Sequence, residues 1–324
     1  MSLSLSILLF LFQMSYAMKN FLFLLLSFFL LSGCDDGDLI NLDFDFDDTI
    51  AFSECNQLII YKLNSTKTES LALSLADLAL DDLFTFDETL TDVENTIVFE
   101  RTIDGTTNRF NYRTYSSEVT GDALFCNPIP PSDITIIDEE ESTTGTVTIT
   151  VTAVDDDNDG VPSEFEDLNG NGNLFDDDSD NDGIPDFLDV DDDGDNVLTK
   201  DELNTEDTDD DPNTNPLDTD SDGTPDYLDT DDDGDNALTR DEESILQDQN
   251  PLNDVTNNAA GPDYLNPDVA TAVTAVAFRA HNVVRTYTVK VEVTNIQFSF
   301  LTQTYMDFGE DVSSENKEKT PEFN

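Results

Sequence analysis

Residues 146–154 read Thr-Val-Thr-Ile-Thr-Val-Thr-Ala-Val, and residues 155–166 continue without a break as Asp-Asp-Asp-Asn-Asp-Gly-Val-Pro-Ser-Glu-Phe-Glu. The first stretch alternates apolar and β-branched polar residues, the pattern of a strand with one buried face. The second has no apolar period and places Asp155, Asp157 and Asp159 at alternate positions. One chain therefore passes directly from a sheet into an irregular acidic segment. The junction predicts a mainly β protein: a β-sandwich-like domain with an inserted or appended, irregular, Asp-rich module.

The acidic segment is sharply bounded. Residues 155–254 hold 39 Asp and Glu against Lys200 and Arg240, a net charge of −37. The whole chain of 324 residues has 73 acids, 13 Lys and Arg, and a net charge of −60. More than half of the acids thus occupy less than a third of the sequence. Such a chain repels phosphate backbones, which excludes nucleic acid as a partner. Its natural ligands are cations. Disordered acidic tails share the charge, but here 37% of residues are hydrophobic and the acids are clustered.

The segment is also periodic. The run Asp178-Ser179-Asp180-Asn181-Asp182-Gly183-Ile184-Pro185-Asp186-Phe187-Leu188-Asp189 recurs 40 residues later as Asp218-Thr219-Asp220-Ser221-Asp222-Gly223-Thr224-Pro225-Asp226-Tyr227-Leu228-Asp229. The following runs from Asp191 and from Asp231 match as well, so a unit is duplicated. Calcium takes six to eight oxygen ligands, and a twelve-residue loop supplies them from positions 1, 3, 5, 7 and 12, with a sharp turn at position 6. Asp191, Asp193, Asp195 and Glu202 fit that scheme, as do Asp231, Asp233, Asp235 and Glu242. Asn196 and Asn236 stand where glycine is usual, since Asn tolerates the left-handed region. Asp155, Asp157, Asp159 and Glu166 make an earlier loop around Gly160, and Asp167, Asn169, Asn171 and Asp178 make a less charged one. The expected ligands are completed by Asp180, Asp182, Asp186 and Asp189, and by Asp218, Asp220, Asp222, Asp226 and Asp229. Asn250-Pro251-Leu252 and Pro262-Asp263-Tyr264-Leu265-Asn266 echo the repeat, but Val255, Asn257 and Ala259 replace the ligands, which predicts a cap without calcium.

The loops at Asp178 and Asp218, spaced D-x-D-x-D-G-x-x-D-x-x-D, resemble thrombospondin type 3 repeats in a cysteine-free bacterial form. Those at Asp191 and Asp231 look more like EF-hand or dockerin loops. The resemblance implies a calcium-wrapped module with little apolar core and short regular structure. Only 199–204 and 239–247 suit short helices, too little for paired EF-hands. Mutual repulsion opposes compaction of the segment. Six calcium ions would reduce its charge to roughly −25, so metal binding and folding are expected to be coupled. The cofactor expectation is about 4–6 Ca2+ ions, with magnesium a poor competitor because it resists dehydration.

Outside this segment, residues 21–31 are an apolar run following Lys19 and preceding Ser32-Gly33-Cys34. This is a secretory signal, too short to span a bilayer comfortably. Leu31-Ser32-Gly33-Cys34 resembles the lipobox of bacterial lipoproteins, which implies lipidation of Cys34 and a membrane anchor. Asp35-Asp36-Gly37-Asp38 resembles the surface-export signal of Bacteroidota lipoproteins, which implies the outer face of the outer membrane. Residues 1–17 carry no Lys or Arg and do not fit the leader, so Met18 is the expected start, with a transmembrane hairpin as the alternative. Cys55 and Cys126 then remain as an expected disulfide in an oxidising compartment, with two free thiols as the alternative.

These readings divide the chain into a leader (1–33), an acidic linker (34–46), a β domain (47–154), the repeat module (155–266, its last unit 250–266 degenerate), a β segment (267–310) that completes the β domain, and a disordered tail (311–324). The alternative is two small β domains joined by the calcium segment. Asp104-Gly105 predicts a hairpin turn between strands at 96–103 and 109–115, and 269–280 suits strand or helix. No nucleophile elbow, P-loop or dinucleotide fingerprint occurs. His281 is expected to be a satisfied or surface histidine. The expected function is non-enzymatic: a calcium-binding surface lipoprotein whose repeats stiffen and display a β domain for adhesion, towards an unknown protein or glycan partner. The alternative is a glycan- or nutrient-capture accessory of an outer-membrane uptake system. The absence of Trp favours the first, because sugar sites usually offer aromatic platforms.

Overall fold

The alternating run at 146–154 forms most of a strand whose inward residues Val147, Ile149, Val151 and Ala153 are at most 1% exposed. The structure is a computed structural model and describes residues 46–86, 94–125, 132–206, 212, 214–243 and 247–323. The strands are β1 (Ala51–Glu54), β2 (Leu58–Leu63), β3 (Glu69–Leu75), β4 (Glu94–Thr102), β5 (Asn108–Tyr115), β6 (Ile136–Ser142), β7 (Thr146–Asp156), β8 (Asn282–Gln297) and β9 (Thr302–Glu318). They form two antiparallel sheets, ordered β1-β2-β3-β5-β6 and β4-β7-β8-β9. Among the described residues there are three α-helices of one turn or little more: α1 (Leu80–Leu83), α2 (Gly121–Phe125) and α3 (Thr199–Glu202). The expected leader and Cys34 lie outside the described residues, as does Cys126. Among the described residues no helix is long and apolar enough to cross a membrane. Cys55 is disulfide-bonded.

The core sits between the sheets. Leu58, Ile60, Leu73 and Leu75 face inward from β2 and β3, and Val289, Val291 and Val293 from β8. The Phe110 ring of β5 ties the layers together, its centroid 5.3 Å from Phe298 and 5.7 Å from Phe308. Each such side chain contributes about 1.5–3 kcal/mol through burial. The Asp104-Gly105 turn forms, but not as a hairpin. Asp104 Oδ1 accepts the amides of Thr106 (2.7 Å), Thr107 (2.7 Å) and Asn108 (3.1 Å), which hold its carboxyl down to about 2. The strands on either side then go to different sheets: β4 pairs with β7, and β5 pairs with β3 and β6. A turn sets local chain direction; here the non-local partners of each strand set its sheet.

The C-terminal tail also departs from expectation. Residues 311–318 continue β9 and pair with β8 as far as Glu318 opposite Asn282. Their polarity suits an edge strand, where main-chain pairing supplies the ordering and charged side chains stay in water.

The acidic segment leaves after β7 and returns into β8, and these two strands are hydrogen-bonded neighbours, with Asp156 opposite Val284. It is built of loops and single 3-10 turns, at Ser163–Phe165, Leu174–Asp176, Asp186–Leu188, Asp226–Leu228, Thr239–Asp241, Pro251–Asn253 and Asp263–Leu265. The helix expected at 199–204 is the single turn α3, and that at 239–247 is a 3-10 turn. Residues 269–280 are neither strand nor helix. They form a strap across the loops, in which Ala275 N donates to Asp241 Oδ1 (2.8 Å) and Arg279 N to Asn196 Oδ1 (2.8 Å).

Candidate metal centre

Each acidic loop curls through two residues of positive φ, at positions 4 and 6. Gly194 and Asn196 stand at 68° and 73°, and Gly234 and Asn236 at 68° and 77°. Asn therefore does take the left-handed place of glycine. The curl sets the carboxylates in a repeated arrangement in which one oxygen accepts a main-chain amide two residues on. Asp159 N donates to Asp157 Oδ1 (3.1 Å) and Val161 N to Asp159 Oδ1 (2.8 Å). Asp195 N donates to Asp193 Oδ1 (3.2 Å) and Val197 N to Asp195 Oδ1 (2.7 Å). Asp235 N and Ala237 N do the same for Asp233 and Asp235. Among the described residues, the second oxygen of all six aspartates is buried without a hydrogen-bond partner.

These inward oxygens meet the closing acids. Asp157, Asp159 and Glu166 gather ligand atoms within 4.8 Å of one another, and Asp193, Asp195, Glu202 and Asp232 do likewise. Neither oxygen of Glu166 or Glu202 has a partner, although each residue is only 2% exposed. Burial first, then repulsion from Asp159 and other acids, pushes Glu166 up to about 9; Glu242, beside Asp233 and Asp235, is pushed up to about 8. Asp192, Asp193, Asp195 and Glu202 are raised well above the usual carboxylate range for the same two reasons. Buried like charges without donors are costly unless a cation joins them. An all-oxygen set of three or four carboxylates suits a hard divalent ion such as calcium.

The remaining expected ligands divide. Asp178, Asp180 and Asp182 cluster, as do the more exposed Asp218, Asp220 and Asp222. Asp191 engages both oxygens with main-chain amides, from Asp195 (3.1 Å) and Asn196 (3.0 Å). Asp231 takes the Asn236 amide on Oδ2 (3.0 Å) and keeps Oδ1 buried without a partner. Asp189 and Asp229 accept the amides of Asp191 (3.1 Å) and Asp231 (3.0 Å), joining one loop to the next. Asp186 and Asp226 form clasps: the amide and hydroxyl of Ser179 donate to Asp186 (2.8 and 3.0 Å), and those of Thr219 to Asp226 (2.7 and 2.8 Å). The degenerate unit keeps this clasp between Thr256 and Asp263, at 2.7 Å for both bonds.

Two expected groups have their side chains otherwise engaged or exposed. Asp155 is paired with Arg285, its partner across β7 and β8, with Arg285 Nη2 2.7 Å from Asp155 Oδ2 and both side chains buried. The cross-strand guanidinium takes the carboxylate out of the loop. In the loop from Asp167, both oxygens of Asp167 accept main-chain amides, from Asn171 (3.0 Å) and Gly172 (2.7 Å), and Asn169 and Asn171 are exposed.

Three residues not expected as ligands stand at the clusters. Asp232 reaches back from the second repeat to the Asp193 cluster, 1% exposed with both oxygens unpartnered. Asp192 likewise feels Asp159 and Glu166 of the loop from Asp155 and Asp186 of the loop from Asp178, and among the described residues no donor meets its buried Oδ1. The third is His281, fully buried with Nδ1 2.9 Å from Asp189 Oδ1. The signal for the first two was in the duplicated Asp-Asp-Asp triplets, whose middle residue no single-loop scheme requires. His281 carried none, since its partners lie about 90 residues away.

A family model described as BamM C-terminal matches residues 156–213, which span the Asp157 cluster and most of the first repeat. This overturns the likeness to thrombospondin type 3 and EF-hand repeats. Alternating aspartates before a sharp turn are what a cation loop of any descent requires, so that spacing does not identify lineage. No curated protein and no solved structure matches the chain.

Proposed function

We propose that this chain is a non-enzymatic, outer-membrane-associated envelope protein in which several calcium ions fold the segment between β7 and β8 and so hold it rigidly against the β-sandwich. The observation that carries the calcium reading is the set of buried carboxylate oxygens turned inward with no donor, at Asp157, Asp159, Glu166, Asp193, Asp195, Glu202 and Asp232. Envelope placement is supported by the BamM C-terminal match over 156–213 and fits the expected leader and lipidation at Cys34. On this reading the sandwich carries the contacts with other proteins, and the calcium loops set its presentation. The match stands closer to an accessory role at the outer membrane than to adhesion.

Calorimetric titration of the chelator-stripped protein with calcium, followed in parallel by circular dichroism, tests the reading. Several ions bound with a gain of ordered structure, and a much weaker response to magnesium, are expected. Absence of binding at millimolar calcium would refute it and leave the segment a metal-independent acidic insertion.

A further inference from the structure

We propose that Asp182, Asp189 and His281 form a second class of metal site, which takes an imidazole-binding first-row dication such as zinc in preference to calcium. This goes beyond the calcium reading and does not depend on it. Calcium and magnesium are held by oxygen, whereas imidazole nitrogen marks sites for zinc, iron, nickel or copper. His281 is the chain's one histidine, and it is 0% exposed within a segment otherwise lined by carboxylates. It arrives at the end of the strap and is clamped by its main chain: His281 N donates to Thr320 Oγ1 (2.9 Å), and Lys319 N donates to His281 O (3.0 Å).

The ring geometry is the decisive observation. Nδ1 lies 2.9 Å from Asp189 Oδ1, and Nε2 lies 3.7 Å from Asp191 Oδ2. Yet neither nitrogen has a hydrogen-bond partner among the described residues. A buried nitrogen and oxygen so close, with no hydrogen bond between them, suit two ligands of one centre. With bonds of about 2.1 Å, adjacent ligands stand about 3.0 Å apart in an octahedral shell and about 3.4 Å apart in a tetrahedral one. Asp182 supplies the third corner: its Oδ2 is buried without a partner, while its Oδ1 is fixed by the Ile184 amide (2.7 Å). The ligand atoms of all three residues lie within 4.8 Å of one another. Asp189 Oδ1 is oriented in turn by the Asp191 amide (3.1 Å). The second repeat offers an internal control. Asp222 and Asp229 stand where Asp182 and Asp189 stand in the first, but the sequence contains no second histidine to meet them.

The competing role for His281 is a buried imidazolium neutralising Asp189 and Asp191, and the same carboxylates serve both. On metal binding the ring proton is released to solvent and the dication takes its place. The test uses the full-length protein with calcium enough to fill the clusters at Asp157 and Asp193; Asp182 also belongs to the Asp178 cluster, so zinc must displace any calcium held there. Zinc is added, unbound metal is removed by gel filtration, and retained zinc is counted. A parallel manganese-loaded sample is examined by pulsed electron paramagnetic resonance for nitrogen modulation. One equivalent of zinc retained, with nitrogen coupling from one imidazole on manganese, is expected. His281→Gln should lose both, while calcium binding at the Asp157 and Asp193 clusters, which lack His281 and Asp182, is unchanged. No retained zinc, or manganese without nitrogen coupling, overturns the proposal and leaves the imidazolium role. Should the variant fail to fold, the nitrogen coupling in the unaltered protein decides alone. Absence of calcium binding with zinc retained would refute the calcium reading and not this one.

Discussion

Glu166→Gln should change stability with opposite signs in the presence and absence of calcium. Glu166 closes the Asp157–Asp159 cluster, is 2% exposed, and has no partner for either oxygen. Without metal its carboxyl is pushed up to about 9. A raised pKa gives stability that is complete below the unfolded value and is lost as pH rises through the folded one. At pH 7 the unfolded chain ionises this group freely while the folded chain does not, which costs the metal-free fold up to about 3 kcal/mol. The neutral isostere removes that cost, so in chelator the variant should melt higher, by roughly 2–4 °C for each kcal/mol relieved. In calcium the balance reverses. One charged bidentate ligand is gone, and the ion at this cluster should bind about 10–100-fold more weakly, a loss of about 1.4–2.8 kcal/mol. Thermal melts by circular dichroism in chelator and in calcium, with calorimetric ion counts, make the comparison. A variant that melts lower in chelator, or that binds calcium as the unaltered protein does, would refute the electrostatic account of the cluster.

Asp155→Asn should leave the number of calcium ions unchanged and destabilise the protein by about 3–5 kcal/mol, because Arg285 is left charged and buried; loss of one ion in calorimetry would return Asp155 to the loop. Asp232→Asn should weaken one calcium ion about 10–100-fold, and a crystal structure of the calcium form should place the weakened site at Asp193, Asp195 and Glu202 rather than in the loop that contains Asp232. The metal-free protein should gain stability as pH falls from about 9 towards 5, since Glu166 and Glu242 are raised to about 9 and 8. Calcium affinity should fall over the same range as protons compete for the oxygens, and chelator melts that rise with pH would contradict this.

Much of the candidate site was legible because its loops are local. Carboxylates within twelve residues of one another are gathered by the backbone curl, so the clustering of Asp157, Asp159 and Glu166, and of Asp193, Asp195 and Glu202, followed from spacing. The asparagines at positive φ were legible for the same reason. The exception within a loop is instructive. Asp155 has the right spacing but stands opposite Arg285 on β8, 130 residues later, and a buried guanidinium competes successfully for a carboxylate.

Taken alone, the sequence determined the strand alternation of β7, the duplicated unit and its curl, and the crowding of like charge in a segment carrying −37. These depend on period, local dihedral preference and total charge, all of which act between near neighbours. Tertiary structure alone decided that β4 and β5 part at Asp104-Gly105, that the polar tail becomes β9, and that Asp192 and Asp232 reach back to the preceding loops. It likewise brought His281 and Arg285 to the acids of the segment. Those outcomes depend on which distant main-chain and side-chain groups meet, and on burial that makes a charge seek its counterpart, neither of which spacing along the chain records.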